Sequence, residues 1–503
     1  MRKNALIALI VMAVLIGTVI MLTSVERSKS HKALADYKAK LRAQGEKLTF
    51  EEAGYPFVLE TNANLENFIA LADRLRAKSD LPAQIEFAPN ASTGRVVSVW
   101  AGGDLRSADS KGASPAAPTW DELSEDMKAS AELLAEIRIE LESPPRHFGW
   151  TYTNPFAANA PKNPFVQKRK VAQFLSADCL AALHEHDLPR AQTNLHALTQ
   201  LMQVHRDDWT LVSAMIRVAI SGLGLVNTWQ ALQAEGWDDA SLAKLQRDWE
   251  QIDLIAALEA GFGGEKLFGQ QAFALIRSND PAGQDQLMSL FGRTSGGSSS
   301  STLSDWGKKL EGKTALMYWR GHMDEAETFY LRDSISRLQA IRRLKTDTSG
   351  ASLKNEIKAE HDALVKELDA PMGKYRHLFS AIAIPNFQRS FDIAVQRETQ
   401  RRMTITAIAL KRFQLRHGNY PTALSELTPQ FLTAELIDAW SGKPFHYQLN
   451  ADGTFTLYSV GSDGRDDGGD STPPKNVNFS TDIWPGKDVL WPTPALPDAP
   501  VKN

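Results

Sequence analysis

Cysteine is almost missing from this chain of 503 residues; Cys179 is the only one. A single thiol excludes an intramolecular disulfide and any cysteine-rich zinc site. An excess of basic residues is missing too. The formal net charge of -4 offers no electrostatic footprint for nucleic acid, and none is expected as a partner. The chain has no zincin His-Glu-x-x-His pattern and no Gly-x-Ser-x-Gly elbow, and no phosphate-binding loop is expected. His184-Glu185-His186 does not fill the gap: side chains two apart on a helix point about 200° apart, so both imidazoles cannot reach one ion. Gly261-Phe262-Gly263-Gly264 reads as a turn between helices. The acidic pairs Asp207-Asp208, Asp238-Asp239 and Asp324-Glu325 read as helix caps or solvated faces, so no catalytic residue is assigned.

Long uncharged runs are also scarce, which makes the first one informative. Residues 5–23 form 19 consecutive positions without a charge, preceded by Arg2 and Lys3. A bilayer needs about 20 apolar residues in a helix. The run is longer than the core of a secretory signal, and Thr23-Ser24-Val25-Glu26 is a poor cleavage site. The expectation is an uncleaved single-pass anchor in a lipid bilayer. Residues 1–4 would then be a cytoplasmic tip, and the bulk of the chain would lie on the far side.

Beyond the anchor the chain divides by composition. Residues 24–118 read as a stalk and mixed linker region, polar and basic at first, with a short strand at Val96–Trp100 and a linker over 105–118. Residues 119–290 read as a helical domain. Thr119 followed by Asp121 and Glu122 is a helix start, and Ser143-Pro144-Pro145 is a stop. Leu188, Ala191, Leu195, Leu198 and Met202 recur at spacings of three and four and so share one helical face. Trp209 to Leu232 reads as a central buried helix; Gly236 ends it, and Asp239 or Ser241 caps the next. Residues 291–312 are Gly/Ser-rich and flexible by composition. Helical patterning resumes over 313–386, and a last long helix runs from about Phe387 to His417 with a buried stripe of Ile405, Ile408, Ala409 and Phe413. The fold class this implies is mainly α: an irregular helical bundle. A helical-repeat arrangement is the alternative, though no 34-residue signature recurs.

The stretch after that helix is the most specific. Gly418 suits a left-handed C-terminal cap, and Tyr420-Pro421 blocks continuation. Asp438-Ala439-Trp440-Ser441-Gly442-Lys443-Pro444-Phe445 leads into two strands, 445–449 and 455–459, joined by a turn at Asn450-Ala451-Asp452-Gly453. Ser459-Val460-Gly461-Ser462-Asp463-Gly464 then opens a loop with four aspartates in eight residues: Asp463, Asp466, Asp467 and Asp470. In this order, residues of about 400–475 resemble the globular domain of the major pseudopilin of type II secretion systems, and the small α+β module is bounded at 387–475. The family's Asp-Pro-Trp-Gly motif is altered here, since Ala439 replaces the proline and Ser441 is an extra residue.

The resemblance implies a calcium ion in the Asp/Gly loop. Asp463 would be its first carboxylate, Asp470 its second, with Asp466 and Asp467 as further candidates and the carbonyls of Ser459 and Val460 completing the shell. Calcium takes six to eight oxygens, and Gly464, Gly468 and Gly469 would let a short loop wrap one ion. The resemblance further implies export across a bacterial inner membrane, N-terminus in, with the bulk of the chain periplasmic. It does not imply a pseudopilin's job, because the anchor lies far upstream of the module and carries no Gly-Phe-type processing site. A Pro/Trp-rich tail, 476–503, follows and is expected to dock within the molecule.

The expected role is therefore non-catalytic: a structural or interaction component of the envelope, with other envelope proteins as partners, at secretion or pilus-like machinery. Two alternatives stay open, an exported enzyme with a cleft in its helical domain and a helical-repeat scaffold binding peptide or polysaccharide.

Overall fold

The computed structural model describes residues 25–54, 63–78, 85–86, 95–96, 98–101, 106–107, 119–146, 164–278, 313–369, 377, 387–470, 472, 484 and 486–494. The expected anchor over 5–23, the Gly/Ser-rich run 291–312 and nearly all of the linker 105–118 lie outside the described residues.

The described chain is mainly helical. Helix α1 covers residues 25–43, followed by α2 (Phe50–Ala53), α3 (Ala63–Lys78), α4 (Trp120–Leu141), α5 (Phe165–His184), α6 (Leu188–Gln203) and α7 (Leu211–Leu232). Next come α8 (Asp239–Glu250), α9 (Leu254–Arg277), α10 (Lys313–Leu344), α11 (Gly350–Asp369) and α12 (Phe387–His417). Their ends follow local chemistry. Thr119 caps α4 in a full capping box, its Oγ1 accepting from Glu122 N while the Glu122 carboxylate accepts from Thr119 N. Asp187 caps α6 with Pro189 in the first turn, and the expected stripe of Leu188, Ala191, Leu195, Leu198 and Met202 is buried. The cap of α8 is Asp238, one residue before the expected position; its carboxylate accepts from Ser241 N at 2.7 Å.

Helix α7 is the centre of the body. It is long and apolar enough to cross a membrane, but 72% of its most apolar window is buried inside the protein, as a core helix would be. It packs against α5, α6, α9 and α12. Two sequence expectations change here. Gly261 to Gly264 is not a turn but the middle of α9, because the glycines are where α9 meets the chain entering α7. A Cβ on Gly264 would sit 1.5 Å from the Trp209 carbonyl oxygen, and one on Gly261 3.0 Å from Leu211 Cα. The expected strand 96–100 is shorter and splits into strand β2 (Arg95–Val96) and a single 3-10 turn, Val99–Ala101, which Gln230 holds through Val99 N and Trp100 Nε1.

The C-terminal residues form a small antiparallel sheet. Hairpin β6 (His446–Leu449) and β7 (Phe455–Ser459) pairs His446 with Tyr458 and Leu449 with Phe455, and the turn uses Gly453 at φ 82°. Strand β8 (Val489–Leu490) adds to β7, and β9 (Thr493–Pro494) runs on to pair in parallel with β2. Trp229 Nε1, on α7, donates to Pro492 O at 2.9 Å, so the tail is stitched into the helical body. One continuous apolar core runs from Phe68 through α4–α8 and α12 to Trp440, Leu457, Trp484 and Val489. The module shares the body's core.

Helix α12 makes that junction. Glu398 is fully buried and accepts from Arg401 Nε and Nη2 and from Arg402 Nε, at 2.7–2.9 Å. The two arginines reach outward: Arg401 Nη1 donates to Trp249 O at the end of α8, and Arg402 Nη1 to Ile437 O in the first strand of the module. Burial alone would raise the Glu398 pKa, but Arg401 and Arg402 outweigh it and hold the carboxyl below its ordinary range.

Two outcomes follow for stability. Gly264→Ala forces a Cβ into backbone and should cost about 3 kcal/mol or more, whereas Gly263→Ala, with open space around it, should be neutral or gain up to about 1 kcal/mol of helix propensity; thermal melts of both variants check this. Because the folded pKa of Glu398 is depressed, its contribution is complete above about 4.5, its ordinary value, and is lost as pH falls through the folded value. Glu398→Gln should therefore melt lower at pH 7, by about 3–5 kcal/mol for a broken buried cluster, and its melting point should fall less on acidification than that of the wild type.

Candidate functional site

Two places merit chemistry: the Asp/Gly loop that follows β7 and a polar cleft in the helical body. The loop is fixed from below by Asp438, which lies in strand β4 (Ile437–Asp438) and is buried. Asp438 Oδ1 accepts from Trp440 N at 2.9 Å and from Ser459 Oγ at 2.8 Å, joining the Trp440 turn to the end of β7. Gly461 then turns at φ 71°, where a Cβ would meet Lys487 O at 2.3 Å. That contact places the start of the loop against the tail.

The four aspartates singled out by sequence are spread along this loop. Asp463 Oδ1 accepts from Arg465 N at 3.1 Å. Asp466 Oδ1 accepts from Gly468 N at 2.9 Å and from Tyr458 Oη at 3.1 Å, and these donors with nearby His446 hold its pKa below the usual carboxylate range. Asp470 Oδ1 accepts from Thr472 N, and its Oδ2 lies 3.0 Å from Lys487 Nζ; Thr472 first and Lys487 second bring its pKa down to about 2. Asp467 contributes its backbone N–H, which donates to Asp488. Among the described residues no three His, Cys, Asp or Glu side chains are grouped to hold a metal ion.

Asp488 is the residue that sequence reading missed. It is fully buried, and its Oδ2 accepts from Gly469 N at 2.7 Å and from Asp467 N and Asp470 N at 3.1 Å each. Its own N–H donates back to Asp470 O at 3.1 Å. Calcium needs a shell of six to eight oxygens. As folded, the loop directs three N–H groups to one internal carboxylate and turns three of its own aspartates onto local donors, so its residues do not present that shell.

The cleft has a volume of about 560 Å³ and is formed where helix ends meet. Glu142 comes from the end of α4, Gln200 and Gln203 from the last turn of α6, Gln251 from the end of α8 and Asn64 from the start of α3. Pro145 and Arg146 complete it, held by His205 N and Asp207 N donating to their carbonyls at 2.8 and 3.2 Å. Beside it His196 donates from Nδ1 to Asp248 Oδ2 at 2.8 Å, and its Nε2 faces Glu142 Oε1 at 3.6 Å. Lys168, fully buried, donates to Val204 O at 2.5 Å; burial first and the Arg217 charge second push its pKa down to about 7. The lining is thus four carboxamides, two guanidinium groups, the Ser143 hydroxyl and a single carboxylate, with Pro144 and Pro145 as its apolar part, suited to hydrogen-bonding a polar ligand.

The histidine cluster is structural. His184 stacks on Trp120 at 4.1 Å and its Nδ1 meets Trp100 O at 3.0 Å, while Glu185 pairs with Arg190. One motif escaped the sequence reading: Gly307-Lys308-Lys309-Leu310-Glu311-Gly312-Lys313-Thr314 does have the spacing of a phosphate-binding loop. That spacing has force only between a strand and a helix. Lys313 opens α10, residues 307–312 lie outside the described residues, and the sequence before them is Gly/Ser-rich, not the apolar run of a strand. No family model, no curated protein and no solved structure matches this chain.

Proposed function

We propose that the chain is a single-pass protein of the bacterial inner membrane, anchored by residues 5–23 with its N-terminus inside, whose periplasmic body is a non-catalytic structural or interaction component at secretion or pilus-like machinery. The observation that carries this reading is how α1 is attached. Leu34 and Leu41 of α1, with Leu48, pack on Leu331 and Ile335 of α10. Lys38 pairs with the buried Glu327, and Glu46 just after the helix pairs with Lys266 at 3.0 Å and with Arg342. The helix that follows the apolar run is thus part of the body, not a free stalk, so an anchor there would hold the whole body close to the membrane surface.

The pseudopilin-like reading of residues 400–475 rests on the order of features: the end of α12 at Gly418, the Tyr420-Pro421 turn, the Trp440 turn, the hairpin and the Asp/Gly loop. In that family a membrane helix leads straight into the module. Here the corresponding helix is α12, buried in the body through Phe391, Met403 and Ile408, which favours a partner-binding role over polymerisation. The cleft favours a second reading, a scaffold that binds a peptide or polysaccharide, over catalysis, since Asn64, Gln200, Gln203 and Gln251 line it beside a single carboxylate, Glu142.

Topology can be tested directly. With a C-terminal epitope tag, the full chain should sediment with membranes through carbonate washing. Added protease should remove the tag in spheroplasts and spare it in intact cells. A tag protected in spheroplasts, or a chain released by carbonate, contradicts the proposal.

A further inference from the structure

We infer that Asp488 is the internal anion that the backbone amides of the Asp/Gly loop enclose: its carboxylate closes the loop without calcium and latches the C-terminal tail, and through it the module, onto the helical body. The inference rests on the pseudopilin-like reading only for the alternative it opposes; the geometry stands without it.

Successive backbone N–H groups that converge in a turn make a concave site for an anion. In this loop the convergent donors are Asp467 N, Gly469 N and Asp470 N, and the anion is Asp488 Oδ2, at 2.7–3.1 Å from all three. Gly468 at φ 74° and Gly469 at φ 80° provide the left-handed turns that aim those amides inward. The carboxylate is fully buried, so these hydrogen bonds replace the water it has lost. An ionised acceptor makes them stronger than ordinary amide bonds.

The latch closes from both sides. Asp488 N donates to Asp470 O at 3.1 Å, Lys487 Nζ sits 3.0 Å from Asp470 Oδ2, and Gly461 lies directly under Lys487 O. From this point the tail continues as β8 on β7, places Trp491 N on Leu457 O at 2.8 Å, gives Pro492 O to Trp229 of α7 and ends on β2. Asp488 thus stands where one segment is tied at once to the loop, the sheet and the central helix. Opening the loop and releasing the tail are one event.

The test uses the full chain in detergent and limited trypsin digestion under native conditions, reading cleavage after Arg465 inside the loop. Cleavage of a folded protein at such a site follows the population of the open loop. In the wild type the rate should be the same within about twofold in millimolar calcium and in chelator, because no ion closes the loop; calcium protection of about tenfold, the gain expected of an ion that binds only the closed state, overturns the inference. Asp488→Ala should raise cleavage by about tenfold or more by removing the one acceptor that three part-buried loop N–H groups share, and Asp488→Asn, which keeps one oxygen, should fall between. Asp463→Asn, whose carboxylate caps Arg465 N and touches Lys487 only through its charge, should stay near wild type in both media. Wild-type cleavage rates for Asp488→Ala overturn the inference, and the calcium arm decides it even if that variant fails to fold.

Discussion

A buried carboxylate that must be paired sets the geometry of this protein. Glu398 has no access to water, and a charge in that position is tolerated only if it is neutralised and fully hydrogen-bonded. Arg401 and Arg402 do both, and each spends its remaining donors on a backbone carbonyl belonging to a different part of the chain: Trp249 in the helical body and Ile437 in the module. Helix α12 is therefore fixed in rotation and in height, and the two parts are fixed to it. Lower down the same helix Arg412 repeats the arrangement, bonding Asp239 and Gln246 of α8 while lying over Phe431 of the module at 5.4 Å.

The second seam runs through backbone alone. The first amides of α11 would be unsatisfied in an isolated helix. Here Gly350 N donates to Ala439 O at 2.9 Å and Ala351 N to Trp440 O at 3.2 Å, so the Trp440 turn caps α11. The fit is close enough that a Cβ on Gly350 would lie 2.6 Å from Ala439 O, and one on Gly442 2.4 Å from Asp347 O. A turn that reads in sequence as the opening of a small separate module is, in space, a socket for a helix of the body. The tail adds the third seam through Trp229 and Pro492.

Much of the helical body was legible because its signals are local. The Thr119 capping box, the Leu188-to-Met202 stripe and the apolar length of α7 each depend on residues a few positions apart, and each is found where its pattern placed it. The hairpin was legible for the same reason. What escaped depends on distant partners. Gly261 to Gly264 looked like a break because glycine disfavours helix, and only the close approach of Trp209 explains why α9 runs through it. Asp488 carries no local mark: it lies 18 residues beyond Asp470, past a proline-rich stretch, and its role arises only when the loop folds over it. The cleft could not be read either, because it belongs to four helix ends that meet only in the fold.

The central claim is that body and module are one cooperative unit, and native-state hydrogen exchange of the full chain tests it most directly. If the seams at Glu398, Gly350 and Trp229 bind the parts as described, amides of the β6–β7 hairpin and of α7 should share one opening free energy and lose protection together as denaturant is added. A hairpin that opens separately, several kcal/mol more readily than α7, would contradict the account and return the C-terminal residues to the status of an independent module.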